Sequence, residues 1–146
     1  MKNPDLSSRP FALAVERSMR AAPQVLYPAW TTSEIERWFA APGTALMTPD
    51  LNTPYFFETH FDGQRHPHHG RFLRLEPIRL VEMTWQTAAG TQGVETVLTI
   101  ELIPAGSGTQ LRLSHAGFAD DEARAGHEEA WPIALECLDN AFGSDI

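Results

Sequence analysis

A change of period near residue 120 constrains this chain more than any other feature. Before it, short alternating apolar and polar runs are broken by turn residues. After it, Trp131, Ala134, Leu135, Leu138 and Phe142 recur at three- and four-residue steps. The first pattern is that of half-buried strands, the second that of one amphipathic helix. The predicted strands cover Phe11 to Met19, Leu46 to Leu51 (the weakest), Tyr55 to Phe61, Gly70 to Leu75, Leu80 to Thr87, Val94 to Ile103 and Thr109 to His115. Connections of two to six residues, such as Asp62-Gly63 and Glu76-Pro77, imply an antiparallel meander. Two short helices follow the first strand: one opens at Ala22-Pro23 and is limited by Pro28, the other runs from Glu34 to Phe39 behind Thr32 or Ser33. Asp120, Asp121 and Glu122 put negative charge at the start of the terminal helix, where its dipole favours it, and a bend is expected near Trp131 beside Pro132.

Strands bunched together before a terminal helix point to an α+β fold with that helix packed on one sheet face. Parity assigns Glu101, Arg112 and Ser114 to the opposite, polar face. With 146 residues there is room for one domain, here residues 10–146 after a flexible arm of residues 1–9, and such a chain buries roughly 68% of its unfolded surface. The polar N-terminus does not read as a secretory signal, and no run approaches the ~18 apolar residues of a membrane span. A single cysteine, Cys137, rules out an internal disulfide framework and fits a cytoplasmic location; it reads as inert packing. The formal charge of −8, with Lys2 the only lysine, argues against nucleic acid, because phosphate binding needs clustered cations.

Several words along the chain carry a family resemblance. They are Val15-Glu16-Arg17, Ala22-Pro23-Gln24-Val25, Ala29-Trp30-Thr31 and Ile35-Glu36-Arg37-Trp38-Phe39, then Gly70-Arg71-Phe72-Leu73, Leu80-Val81-Glu82-Met83-Thr84-Trp85, Glu95-Thr96-Val97-Leu98-Thr99, Leu113-Ser114-His115-Ala116-Gly117-Phe118 and His127-Glu128-Glu129-Ala130-Trp131. In this order and spacing, over residues 11–142, the chain resembles the START-like (SRPBCC) helix-grip superfamily, in the branch related to the activator of the heat-shock-chaperone ATPase. The resemblance implies a curved antiparallel sheet of six to seven strands wrapped around the C-terminal helix, with a cavity between them. Members of that superfamily carry lipids, sense hormones, cyclise polyketides or activate a chaperone, so the work must be argued from the site.

The candidate ligand-binding set is Trp85, Leu98, Ile100, Leu113 and His115 on the inner sheet face, with Trp131 and Leu135 on the helix and Phe57 and Glu58 beside them. Aromatic residues are usually core, but a sheet curled round one helix leaves a space that only large side chains can plug. His115 shares the parity of Leu111 and Leu113, so it faces the helix. There it is either a core histidine bonded to a backbone carbonyl or to Glu58, or a polar group aimed into the cavity. Glu58 faces either way: inward, desolvation raises its pKa; outward, it is a surface acid. His66, His68 and His69 fall between Asp62-Gly63 and Gly70, a segment that reads as a solvated hairpin loop, and lack a fourth ligand for a structural zinc site. No phosphate loop, nucleophile elbow or zinc helix is present, and His127-Glu128-Glu129 lacks the second histidine of the last.

These readings predict a protein that binds a small hydrophobic molecule without cofactor or metal. The competing expectations are a cyclase-like enzyme with His115 as acid or base and Glu58 as its helper, and an interaction protein for a chaperone. A homodimer is compatible with the sequence, which shows no interface signature.

Overall fold

Six strands and two α-helices account for the alternation and the terminal stripe in the computed structural model, which describes residues 2–143. Residues 144–146 of the expected domain, and Met1 of the arm, lie outside the described residues. The strands are β1 (Phe11–Met19), β2 (Pro54–Phe61), β3 (Gln64–Glu76), β4 (Leu80–Trp85), β5 (Thr96–Ala105) and β6 (Gly108–Phe118). Helix α1 spans Pro23–Thr31 and α2 spans Asp121–Phe142, with a 3-10 turn at Ser33–Arg37. All strand pairs are antiparallel, in the order β1-β6-β5-β4-β3-β2. The result is the expected α+β helix-grip architecture. No helix of the described residues is long and apolar enough to cross a membrane.

Every strand is a local hairpin product except β1, which reaches across the chain to pair with β6, from Leu13 opposite His115 to Met19 opposite Thr109. Leu13, Leu98, Ile100, Leu111 and Leu113 point to the helices and are buried. The opposite face is polar as parity predicts: Arg112 bonds Glu16 at 2.7 Å and lies 4.0 Å from Glu101.

The segment Leu46 to Leu51 is not a strand. Only its ends touch the sheet, through single bridges of Leu46 to Phe56 and Leu51 to Phe72. Pro49 removes a ladder donor between them, and the Asp50 N–H turns back to the Thr48 carbonyl at 2.8 Å. The second predicted helix is shorter and tighter than expected, and Phe39 falls beyond its end.

Strand β3 changes partner midway. Its first half, to Arg71, pairs with β2, and from Phe72 it pairs with β4. Gly70 sits at the change, where a Cβ would stand 2.2 Å from the Thr84 carbonyl oxygen, so only glycine lets the two backbones approach. Thr84 secures the crossing: its hydroxyl accepts from the Arg71 N–H at 2.9 Å, and its carbonyl accepts from the buried Tyr55 hydroxyl at 2.6 Å.

Two helices share the inner face. Helix α2 packs mainly against β1 and β6, whereas α1 lies over β4 and β5. The Asp120 side chain caps α2 by accepting from the Ala123 N–H at 2.8 Å, ahead of Asp121 and Glu122. At its other end the buried Asp139 accepts from the Arg20 N–H at 3.0 Å and meets the Arg20 and Arg17 guanidinium groups, tying α2 to the end of β1. Cys137 is exposed on α2 rather than packed, because the buried stripe runs through Leu135, Leu138 and Phe142 on either side of it. Of the N-terminal arm, Arg9 donates to the Gly117 and Glu95 carbonyls at 2.8 and 2.7 Å.

Candidate functional site

The β2–β3 hairpin decides the first site residue. Asp62 and Gly63 both have positive φ, 56° and 74°, the conformation of a two-residue turn matched to strand twist. The strand therefore resumes at Gln64, and pairing outward from Phe61 opposite Gln64 brings His68 opposite Phe57. The predicted solvated loop is thus a strand, and His68 is buried within it. Its ring stacks on Phe57 at 4.9 Å and 13°. Its Nδ1–H donates to the His66 carbonyl at 2.9 Å, which leaves Nε2 as a lone-pair acceptor. Burial pushes the His68 pKa down to about 4. His69 points to the other face and is exposed. Among the described residues no three His, Cys, Asp or Glu side chains are placed to hold a metal ion.

Glu58 lies on the face opposite Phe57, so it takes no part in a cavity. Its carboxylate accepts from Arg65 Nε at 3.0 Å and Nη2 at 2.8 Å, with His60 Nε2 at 3.3 Å. Residues 41–44 lie over it, Ala41 N–H donating to its carbonyl at 2.8 Å. The Arg65 hydrogen bonds, helped by His60, hold its carboxyl below the usual range, the direction of an outward acid.

His115 is fully buried, and its partners are neither a carbonyl nor Glu58. The Trp131 indole N–H donates to Nδ1 at 3.1 Å, so the ring proton must sit on Nε2. That N–H meets the Thr96 hydroxyl at 2.8 Å, and the hydroxyl donates on to the Trp85 carbonyl at 2.5 Å. The relay is directional and complete. Burial, with His127 nearby, pushes the His115 pKa well down, so the imidazole is neutral with both nitrogens occupied. Nothing is left on it to take a substrate's proton.

Above this relay lies a chamber of about 150 Å³ walled by Phe39, His68, Trp85, His127, Ala130, Trp131 and Ala134. Phe39 comes from just after the 3-10 turn and stacks on Trp131 at 6.0 Å and 19°. Trp85, at the end of β4, stands 5.5 Å from Trp131 and 5.3 Å from His68. His127 is one helical turn before Trp131, hence on the same side of α2. Its Nδ1–H donates to the Ala123 carbonyl at 2.9 Å, and its ring meets Phe118 at 4.7 Å and His115 at 5.1 Å. Partial burial lowers its pKa as well. His127 and Ala130 also line a wider outer groove of about 580 Å³ that runs past Thr59, Phe61, Gly90, Gln92 and Glu122.

The structure thus brings Trp85 and Trp131 together at the chamber, with His115 directly behind Trp131 and Phe57 behind His68. Leu98, Ile100, Leu113 and Leu135 are buried core and do not line it. Sequence reasoning missed Phe39, His68 and His127. The first follows an irregular turn, the segment of the second reads as a loop, and the third, one turn before Trp131, carries no spacing signal beyond the incomplete zinc pattern and the family resemblance.

Comparison with known proteins agrees with this architecture. Residues 20–143 match the family model described as Activator of Hsp90 ATPase homolog 1-like protein. No curated protein gives a significant match. Among solved structures the chain is similar to protein MLL2253 from Mesorhizobium loti, with 26% identity and a TM-score of 0.75 over 90% of this chain and 96% of that one. The AHSA1 protein from Silicibacter pomeroyi superposes with a TM-score of 0.77 at 23% identity, over 92% of this chain and 99% of that one. The Aha1 dimer from Colwellia psychrerythraea gives 0.68 at 19% identity, over 89% and 94%. The family model spans most of the chain, and the sheet, the gripped helix and their order agree with it: the chain belongs to the Activator of Hsp90 ATPase homolog 1-like family.

Proposed function

We propose that this protein binds a small aromatic or hydrophobic molecule in the chamber between the sheet and α2. The observation that carries the reading is a ring-walled space of about 150 Å³ that the surrounding rings do not fill. Phe39, Trp85 and Trp131 supply its apolar surface, and a few convergent polar groups beside such surface are the usual make-up of a ligand site. The closed relay at His115 supports binding over acid–base catalysis, because it is spent on holding Trp131 in place. Ligand at 100 times its Kd adds about 2.7 kcal/mol to stability, so a library of one- and two-ring compounds should yield clear thermal shifts. Filling the chamber with Ala134→Phe should abolish those shifts while the protein stays folded. A library that shifts neither protein, or shifts both equally, defeats the reading. Native mass spectrometry of the freshly purified protein reads a retained ligand and a homodimer in one spectrum, and the single unpaired Cys137 is in keeping with a cytoplasmic protein.

A second reading, contact with a chaperone of the Hsp90 class, is supported by the family's description. It does not compete for the chamber. A pull-down repeated in roughly 0.5 M salt, where the Debye length falls to a few ångströms, should retain the chaperone if the contact is specific. Loss of all capture at that salt marks it as simple charge attraction.

A further inference from the structure

The polar atoms of the chamber narrow the ligand further. His68 and His127 each give their Nδ1–H to a backbone carbonyl, so each keeps a bare Nε2 lone pair. Neither nitrogen has a partner among the described residues, and neither is among the buried atoms sealed from solvent space, so both remain open to an incoming group. The Trp85 indole N–H likewise has no acceptor among the described residues. The Trp131 N–H, by contrast, is committed to His115. The free set is two acceptors and one donor. Among the described residues no lysine or arginine lines the chamber, and the groove outside it carries Glu122.

Size gives the second constraint. A cavity of about 150 Å³ holds one benzene ring. His127 and Ala130 stand at the join between chamber and groove, and a Cβ on Gly90 would come within 3.3 Å of the His127 Nε2 and Cε1 edge. Gly90 thereby keeps that edge clear, and the groove leaves room for a substituent on the ring.

We propose that the chamber selects a neutral single-ring phenol, whose hydroxyl donates to Nε2 of His68 or His127, over a hydrocarbon or a carboxylate of the same size. A hydroxyl carries one proton, so it pairs with one of the two imidazole lone pairs, and its oxygen can still accept an N–H. A methyl group leaves those polar atoms unpaired on desolvation. A carboxylate brings a buried charge with no cation to meet it and turns its oxygens toward lone pairs. Both histidines have lowered pKa values through burial, which keeps them acceptors at neutral pH.

This inference rests on the aromatic-ligand reading, and one experiment separates their failures. The affinities of phenol, toluene and benzoate are measured by NMR titration of the wild-type protein and of His68→Phe and His127→Phe. Phenol should lose about tenfold in at least one variant, the size of one hydrogen bond, while toluene holds or gains and benzoate stays unbound. Phenol affinity unchanged in both variants, or benzoate binding as tightly as phenol, overturns the proposal and leaves toluene binding to uphold the broader reading. No binding of any of the three overturns both. Should a variant misfold, the wild-type protein still decides the matter. Phenol, and not toluene, must move the ¹⁵Nε2 resonance of His68 or His127 away from its free-acceptor position; equal behaviour of the two probes sinks the idea.

Discussion

Trp131→Ala should destabilise the protein by about 3–5 kcal/mol, the usual cost of deleting a buried tryptophan side chain. Trp131 is 3% exposed and touches the rings of Trp30, Phe39, Trp85 and His115, so it couples α1, the segment after the 3-10 turn, β4 and β6 through one side chain. Its loss also opens the chamber toward the core and leaves His115 Nδ1 without a donor. Trp131→Phe separates the two effects. It keeps much of the packing but removes the N–H, so about 1–3 kcal/mol should remain, the cost of a buried acceptor left unsatisfied. Urea unfolding with unchanged m-values is the measurement. A double-mutant cycle with His115→Leu should return a coupling of about 1 kcal/mol or more between the two residues. Additive losses would show that the relay contributes nothing and that His115 is merely packed.

Acid should unfold this protein early. His68 and His115 are buried and neutral, whereas in the unfolded chain each takes up a proton near pH 6.5. Between that pH and the lower folded-state values the unfolded chain holds more protons, so stability falls as pH falls. For His68 the window runs from about 6.5 down to about 4, and His115, its pKa also lowered by burial, loses stability in the same direction. His68 alone makes the loss by pH 5 about 2 kcal/mol, and His115 adds to it in the same direction. That is a large share of a typical 5–15 kcal/mol. His127, which faces His115 and is only half-buried, adds to the same trend. Carboxyl groups held below their usual range, Asp139 among them, extend the loss at still lower pH. Urea midpoints measured from pH 8 to pH 4.5 test this, and His68→Gln should make the slope shallower by about one proton. A midpoint that stays flat down to pH 5 would falsify the buried neutral state of both imidazoles.

The two predictions draw on residues that were unequally legible. Trp85, Trp131 and His115 could be placed on one inner face by counting twos along the strands and threes and fours along the helix. That arithmetic needs only side-chain period and the location of turns. The same arithmetic fails where a turn is misjudged. Asp62-Gly63 reads equally as the start of a loop and as a complete two-residue turn. Only the second choice extends β3 back to Gln64 and carries His68 inside opposite Phe57. Glu58 shows the converse limit: parity set it apart from Phe57, but the side that faces the core was decided by Arg65 and residues 41–44 covering the other.

Apart from the Leu46–Leu51 strand and the start of β3, the sequence by itself determined the order of elements, the antiparallel meander, the polar outer face and the helix stripe, because each depends on spacing within about ten residues. Tertiary structure alone decided that β1 closes onto β6, that α1 shares the inner face with α2, and that Phe39, His68 and His127 meet around one chamber. These contacts join residues dozens of positions apart, and no local period records them. Whether a space remains among such rings is set by how large side chains from four separate segments pack at once, and that is a property of the assembled core.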